Sequence, residues 1–197
     1  LKDSLLTDYK EGQKMSLDLK GQIVNIPLEL SSEDDIVFVN VLAKSRVGVS
    51  VERLDGKSNV LLGEGLGQQI SLSALAGSKE KQKIRVKVWS SDHLNENVEL
   101  LIRKASSQKA SLKQLLNGED FDTQKGLSKA HAWVKVDLGS DSIGIFEFDK
   151  KEIGVKQLFK KSTQFEIVNK NLISSTQKNL WLELITEKGD AELELSP

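Results

Sequence analysis

The stretch Lys83-Ile84-Arg85-Val86-Lys87-Val88 alternates charged and aliphatic side chains without interruption. Because successive side chains of a β-strand point to opposite faces, this period of two predicts a strand with one buried and one exposed face. A chain with many short strands and little helical spacing is predicted to be all-β, with antiparallel sheets. The same alternation recurs along the chain, at residues 24–30, 47–51, 132–138, 180–184 and 191–195.

Three local signals refine this picture. Asp55-Gly56 lies between two strand patterns and predicts a hairpin turn, since both residues tolerate positive φ. The leucines within residues 112–116 have helical spacing and predict a short helix that ends at Gly118. Pro27 lies inside a strand pattern and predicts that this strand is at a sheet edge or is bulged.

The strand patterns of the first half recur in the second half. Residues 26–32 are echoed by residues 134–140 at an offset of 108, and residues 83–88 by residues 179–184 at an offset of 96. Any two antiparallel sheets show alternation, so alternation alone does not indicate a repeat. Here the strand patterns also occur in the same order in both halves. The sequence therefore indicates an internal duplication.

The starts of the two halves also correspond, because Leu1–Leu6 is echoed by Leu112–Leu116. The smaller second offset is explained if the second copy lacks most of a loop at residues 63–82, since loops tolerate deletions. We therefore predict two tandem antiparallel β-sandwich domains of jelly-roll or immunoglobulin-like type, related by internal duplication. Their predicted bounds are residues 1–106 and 107–197.

Composition narrows the function classes. The 197 residues include 28 Lys and Arg against 29 Asp and Glu, for a net charge of −1, and contain no Cys. Balanced charge argues against nucleic acid as a partner. Absence of Cys excludes disulfide scaffolds, thiolate zinc sites and iron–sulfur clusters. No apolar run reaches the roughly 18 residues of a membrane-spanning helix, so we expect no membrane insertion.

The pattern of reactive side chains is not that of an enzyme. The two histidines, His93 and His131, fall in different halves of the chain, so they do not suggest a shared site. Gly63-Glu64-Gly65-Leu66-Gly67 has the spacing GxGxG without a following Lys-Ser/Thr, which favours a flexible connection over a phosphate-binding loop. We therefore predict no catalytic residue and no cofactor.

Acidic residues cluster at residues 33–35 and at Asp137, Asp141 and Asp149. Oxygen ligands of this kind bind Ca²⁺ where six or more converge, but neither cluster has the spacing of an EF-hand loop. We interpret both clusters as solvated turns and assign no metal ligand. A weak calcium site is the alternative.

The tryptophans are the candidate binding residues. Trp89, Trp133 and Trp181 all fall on the polar phase of their strands, together with Arg85 and His131. Large aromatic side chains on an outward face tend to mark a contact surface. We predict that these five side chains form a surface for a protein or glycan partner. Alternatively, the tryptophans pack beneath loops, at a sandwich edge or in the joint between the halves.

Three runs carry a resemblance to a known family, residues 37–39, 49–56 and 84–88. Through these runs the chain resembles the bacterial pre-peptidase C-terminal domain, a small β-sandwich found in tandem behind secreted enzymes. The resemblance covers roughly each half of the chain. The chain lacks the family's aspartate-and-aromatic signature in the first strand and its Gly-Thr-Tyr-Tyr-like lead into the late strand. The resemblance implies an accessory module rather than a catalyst.

These observations predict a non-catalytic accessory or binding module of a bacterial exported or surface protein. Its partner would be a protein, a glycan or a neighbouring domain of the same parent chain. Because the chain begins with Leu1 and has no Cys, we expect a processed product or fragment in an extracellular or cell-envelope location. The alternatives are a C2-like pair that binds calcium or lipid, and a glycoside hydrolase that uses only carboxylates.

Overall fold

The computed structural model describes residues 4–32, 34–75, 81–92, 95–137, 147–148, 154–161, 164–168, 179–186, 190–193 and 195–196. The chain divides into two compact units, Leu1–Ala105 (unit 1) and Ser106–Pro197 (unit 2). Strands make up most of the described residues and pair mainly antiparallel, and Leu112–Leu116 is the one helix among them. The all-β expectation is therefore confirmed.

Unit 1 is built from one sheet of seven strands. Its order is β1-β3-β6-β4-β7-β2, with β5 paired to β4. The parallel pairing of β1 with β3 differs from the predicted antiparallel arrangement. The strands are β1 (Ser4–Leu6), β2 (Met15–Asp18), β3 (Ile23–Leu30), β4 (Asp35–Leu54), β5 (Asn59–Leu75), β6 (Gln82–Ser90) and β7 (Asn97–Ser106).

The sheet curls around a single hydrophobic core. Alternate side chains of β2 to β7 contribute to this core, including the valines at 37, 39 and 41 and those at 47, 49 and 51 of β4. The register between β4 and β5 shifts between Leu42 and Val47, where β4 bends. Because side chains on both sides of the bend reach one core, the long strand turns the sheet back on itself.

Glu96 holds the bend of β4 in place. Its Oε1 accepts a hydrogen bond from the backbone N–H of Ser45 at 2.6 Å, and its Oε2 accepts one from the Ser45 hydroxyl. Burial raises the pKa of Glu96, but hydrogen bonds from Ser45 and Lys44 outweigh it, so the pKa lies below the ordinary value. The ionised carboxylate is therefore the form that stabilises the bend.

The predicted hairpin at Asp55-Gly56 is confirmed. Asp55 to Ser58 connect β4 with β5, and Gly56 has φ +80°. Pro27 of β3 lies beyond the short β1, which covers only residues 23–25 of that strand. Because no described strand pairs with β3 beside Pro27 on the side of β1, the missing N–H of Pro27 faces an open edge, as the sequence predicted.

The interpretation of residues 63–82 as a loop was wrong in its first part. Residues 63–75 belong to β5 and pair with β4. A Cβ atom at Gly63 would lie 3.1 Å from Leu72 Cδ1, and one at Gly65 would lie 3.0 Å from Ile70 Cγ2. The glycines leave room for these leucine and isoleucine side chains where β5 bends, so they mark a tight corner of the sheet rather than a loop.

Unit 2 contains ten strands and one short helix among its described residues. Its larger sheet has the order β10-β11-β15-β13-β14, with β8 paired to β11. Two separate two-stranded sheets, β12-β17 and β16-β9, also belong to unit 2. The elements are β8 (Gln108–Ser111), α1 (Leu112–Leu116), β9 (Glu119–Asp122), β10 (Gln124–Lys125), β11 (Ala130–Asp137), β12 (Glu147–Phe148), β13 (Gly154–Lys161), β14 (Gln164–Val168), β15 (Asn179–Thr186), β16 (Asp190–Leu193) and β17 (Leu195–Ser196).

Helix α1 forms where the leucine spacing predicted it. Ser111 caps its first turn, since the Ser111 hydroxyl accepts from the N–H of Gln114 and the Gln114 side chain accepts from the N–H of Ser111. This reciprocal pair is a capping box, which satisfies two backbone donors that the helix leaves free. After the helix, Gly118 has φ +79° and ends it, as the sequence predicted.

The two units share an order of strand pairing. In unit 1, β1 runs parallel to β3, which continues antiparallel through β6, β4 and β5. In unit 2, β8 runs parallel to β11, which continues antiparallel through β15, β13 and β14. The antiparallel pair β2-β7 has a counterpart in β9-β16. The counterpart of β1 is thus β8, whereas Leu112–Leu116, the predicted echo of Leu1–Leu6, forms α1.

The register agrees with the offsets read in the sequence. Ile26 pairs with Val86 in unit 1, and Val134 pairs with Leu182 in unit 2. Ile26 and Val134 are separated by the offset of 108, and Val86 and Leu182 by the offset of 96, the same two offsets that relate the sequence halves. Strand order and register therefore match together.

Candidate functional site

Trp89 lies on the outer face of unit 1, flat against a glycine of the neighbouring strand. It is half-buried and stands opposite Gly48 in the pairing of β6 with β4. A Cβ atom at Gly48 would overlap Cε2 and Cζ2 of the indole. The ring therefore takes the space that a side chain would fill and shields the glycine backbone, an arrangement known as aromatic rescue of glycine.

Two exposed leucines of β5 continue this apolar surface. Leu66 pairs with Gly48 and Leu61 pairs with Glu52, so both leucines share the outer face with Trp89. Leu66 is 58% exposed and Leu61 is 46% exposed. We call Trp89, Gly48, Leu66 and Leu61 the apolar strip.

A group of charged side chains borders the apolar strip. Arg85 Nη2 donates to Glu52 Oε2 at 2.9 Å, and Lys87 Nζ donates to Glu52 Oε1 at 3.1 Å. All three side chains point to the outer face, on the opposite side of the sheet from the core valines. The pairing with Glu52 holds the Arg85 guanidinium at the border of the strip. The structure thus places two of the five predicted binding residues, Trp89 and Arg85, on one accessible face.

Acid is expected to weaken this charged group. Burial raises the pKa of Glu52, but the hydrogen bonds and charges of Arg85 and Lys87 outweigh this effect. The pKa of Glu52 therefore lies below its ordinary value of 4.5. Because the folded-state pKa is the lower one, the stability that Glu52 contributes is present above pH 4.5 and is lost as the pH falls through the folded value. Urea unfolding measured from neutral pH into this range should show the free energy of unfolding decline.

The Glu52→Gln variant separates this contribution from the rest of the chain. Glutamine keeps the size of the side chain but does not titrate, so the decline in acid should be shallower than in the wild type. Two parallel pH profiles would contradict the assignment to Glu52.

The other three predicted binding residues lie in unit 2 and are buried. His131 is 0% exposed, Trp133 is 3% exposed and Trp181 is 6% exposed. The prediction that they form an exposed surface is therefore corrected. Side-chain alternation correctly indicated that these residues share a face of β11 and β15. Both faces of these strands are buried, however, and alternation alone does not show whether a face is exposed to solvent or packed against other residues.

A buried hydrogen-bonding partner explains the position of His131. Its Nδ1 lies 2.8 Å from Oε1 of Glu183, which is itself 2% exposed. The imidazole is stacked on Trp133, with 6.1 Å between the ring centroids and 19° between the planes. On the same face, Lys135 Nζ lies 5.2 Å from the centroid of the Trp181 ring. Sequence reasoning missed Glu183, since one Glu on a polar phase resembles any solvated residue.

The acidic turns do not bring metal ligands together in the part of the chain that the structure describes. There, no three His, Asp or Glu side chains converge in a way that could hold an ion. Asp35 instead accepts hydrogen bonds from the backbone N–H groups of Ser31 and Ser32 at 2.9 and 3.0 Å. Three acidic residues and one histidine of the predictions lie outside the described residues, namely Glu33, Asp141, Asp149 and His93.

Among the described residues, no helix has the length and apolar character needed to cross a membrane. No protein-family model and no curated protein sequence matches this chain.

Proposed function

We propose that this chain is a non-catalytic protein-binding module and that the apolar strip of unit 1 is its contact surface. The observation that carries the proposal is Leu66, which stands more than half exposed beside Trp89, on the other side of Gly48. Protein contact surfaces typically combine buried apolar anchors with a polar and charged rim. The strip supplies the apolar side chains, and the group around Glu52 supplies the rim.

The composition of the strip favours a protein partner over a glycan. Sugar rings are bound by stacking on flat aromatic side chains, whereas leucine offers no flat face. Of the three tryptophans predicted to form the binding surface, Trp133 and Trp181 are buried, so Trp89 is the one that remains available for stacking. Two leucines and one tryptophan suit the aliphatic and aromatic side chains of a polypeptide.

The Leu66→Lys variant tests the contact surface. The substitution places a charge at the centre of the strip, so affinity for a partner protein isolated from the native source should fall about tenfold or more. Leu6→Lys is the matched control, because Leu6 is also an exposed leucine, at 75%, but lies on β1 rather than on the strip. Affinities would be measured by calorimetric titration with the purified partner.

Equal affinity of Leu66→Lys and Leu6→Lys for that partner would contradict the proposed surface. Binding of the wild type to a glycan array, lost in a Trp89→Ala variant, would overturn the choice of a protein partner and favour a glycan.

We further propose that the two units arose by duplication of one β-sandwich and belong to an accessory module in a bacterial envelope or extracellular location. The shared pairing order and the agreement of register with the offsets of 108 and 96 support the duplication. The resemblance to pre-peptidase C-terminal domains and the absence of Cys support the location.

A duplicated module implies that each unit is complete, so residues 1–106 are expected to fold when expressed alone. Among the described residues, the buried members of the hydrophobic core of unit 1 all lie between Met15 and Ile102, within unit 1 itself. We expect a cooperative thermal transition by circular dichroism. A fragment that ends at Leu75 lacks β6 and β7 and should show none. Absence of a transition in the longer fragment would contradict two autonomous units.

A further inference from the structure

We propose that the free edge of β5 binds an extended peptide segment of the partner protein, which adds to the sheet as a further strand. This inference rests on the proposed protein-binding function and specifies the form of the partner. An edge strand presents backbone N–H and C=O groups that an added strand can pair with, and exposed side chains beside it supply specificity.

The edge of β5 differs from the other edges of its sheet. The end strands β1 and β2 have three and four residues, whereas β5 has 17 and pairs, among the described strands, with β4 alone. Natural proteins protect edges by keeping them short or by placing Lys or Pro on them. Residues 59–75 contain neither Lys, Arg nor Pro. The length and the lack of these protective residues make β5 the edge that is open to pairing.

The side chains beside this edge suit an extended peptide. Leu61 and Leu66 are exposed on the outer face, next to Trp89. An added strand that pairs with β5 would place every second side chain over this face, since alternate residues of a strand share a face. The partner segment should therefore carry apolar residues at alternate positions.

Charge favours a different polypeptide over a second copy of this chain. Glu64 is exposed, is the one charged residue between 59 and 75, and forms no ion pair within the described residues. In the antiparallel pairing of two copies that is centred on Glu64, the two Glu64 side chains would lie directly opposite each other. Like charges at such positions destabilise a strand pair, whereas a Lys or Arg in the partner would complement Glu64.

The test uses random dodecapeptides displayed on phage, selected against the full chain. Selection against a Leu61→Lys/Leu66→Lys variant, checked for folding by circular dichroism, runs in parallel with Leu6→Lys as the control. We expect the wild type and the control to enrich Pro-free peptides with alternating apolar residues and a basic residue. The double variant should not enrich them.

An enriched peptide is then synthesised in two alternately N-methylated forms. Methylation removes backbone N–H donors without changing side chains, and only one set of amides in an added strand faces β5. One form should lose about 100-fold in affinity through its missing ladder hydrogen bonds, while the other should bind nearly as well as the parent peptide. Amide hydrogen exchange should slow along β5 when the parent peptide binds.

Each contrary result points to a different error. If both methylated forms bind equally well, strand addition is wrong, while protein binding at the strip stands. If the wild type enriches no peptide over the double variant, the proposed function itself fails at this surface. If the wild type sediments as a dimer that Leu66→Lys dissociates, the occupant is a second copy and the proposal of a different polypeptide is overturned.

Discussion

Replacing Glu183 by alanine is expected to lower the free energy of unfolding by about 2–4 kcal/mol, through an unsatisfied buried polar group and a void. The carboxylate of Glu183 is buried and pairs with Nδ1 of His131, which has no exposed surface. Alanine would leave the imidazole without this partner in a site that water does not reach, and would also open a void. Denaturant unfolding followed by circular dichroism measures the loss.

The Glu183→Gln variant is the matched control. Glutamine keeps the shape of the side chain and an amide that can hydrogen-bond Nδ1 of His131 in either tautomer, so the loss should be closer to about 1 kcal/mol. A loss for alanine no larger than that for glutamine would show that the pair does not stabilise unit 2. Replacing His131 and Glu183 together by leucine should cost less than Glu183→Ala, since both polar side chains of the pair are then removed from the buried site.

The Gly48→Ala variant is expected to lower the free energy of unfolding by about 1–3 kcal/mol. The added methyl group would overlap Cε2 and Cζ2 of Trp89, and neither the paired backbones nor the indole can move without disturbing the outer face. The tryptophan emission spectrum should shift toward that of a more solvated indole. Denaturant unfolding and fluorescence measure the two effects.

A double-mutant cycle tests the assigned cause. In a Trp89→Ala background the same Gly48→Ala substitution meets no indole, so its cost should largely disappear. An unchanged cost in that background would place the effect of Gly48→Ala in the backbone rather than in the contact with Trp89.

The strands could be predicted from the sequence because side-chain alternation is a direct result of the pleat. Residues 83–88 lie in β6 and residues 132–137 lie in β11, with their aliphatic side chains buried. Alternation also fixed which residues share a face, which is why Trp89 and Arg85 lie together. The helix Leu112–Leu116 and the turn at Gly56 followed from equally local rules.

The cover over a face could not be predicted in this way. Trp133 and His131 have the alternation of outward residues and are nonetheless buried, because another part of the folded chain determines their exposure. Their partner Glu183 carried no distinguishing signal, since its pairing with His131 joins residues 52 positions apart.

The nature of β5 was hidden by its composition. Gly63, Gly65 and Gly67 suggest a flexible connection when glycine is taken as a mark of loops. Their spacing of two residues was nevertheless a strand signal, because the three glycines occupy successive positions on the core face, opposite the valines 51, 49 and 47. Most of the β5 edge that is proposed to bind the partner therefore lies in residues 63–82, which their composition predicted to be a loop.

The continuity of β4 is a requirement for the folding of unit 1. The 20 residues of this strand contribute valines to the core before and after the bend at Ser45. A break within β4 would separate its two sets of core valines, so we expect a chain cut there not to fold. We expect insertions to be tolerated in the turns between strands and not within β4.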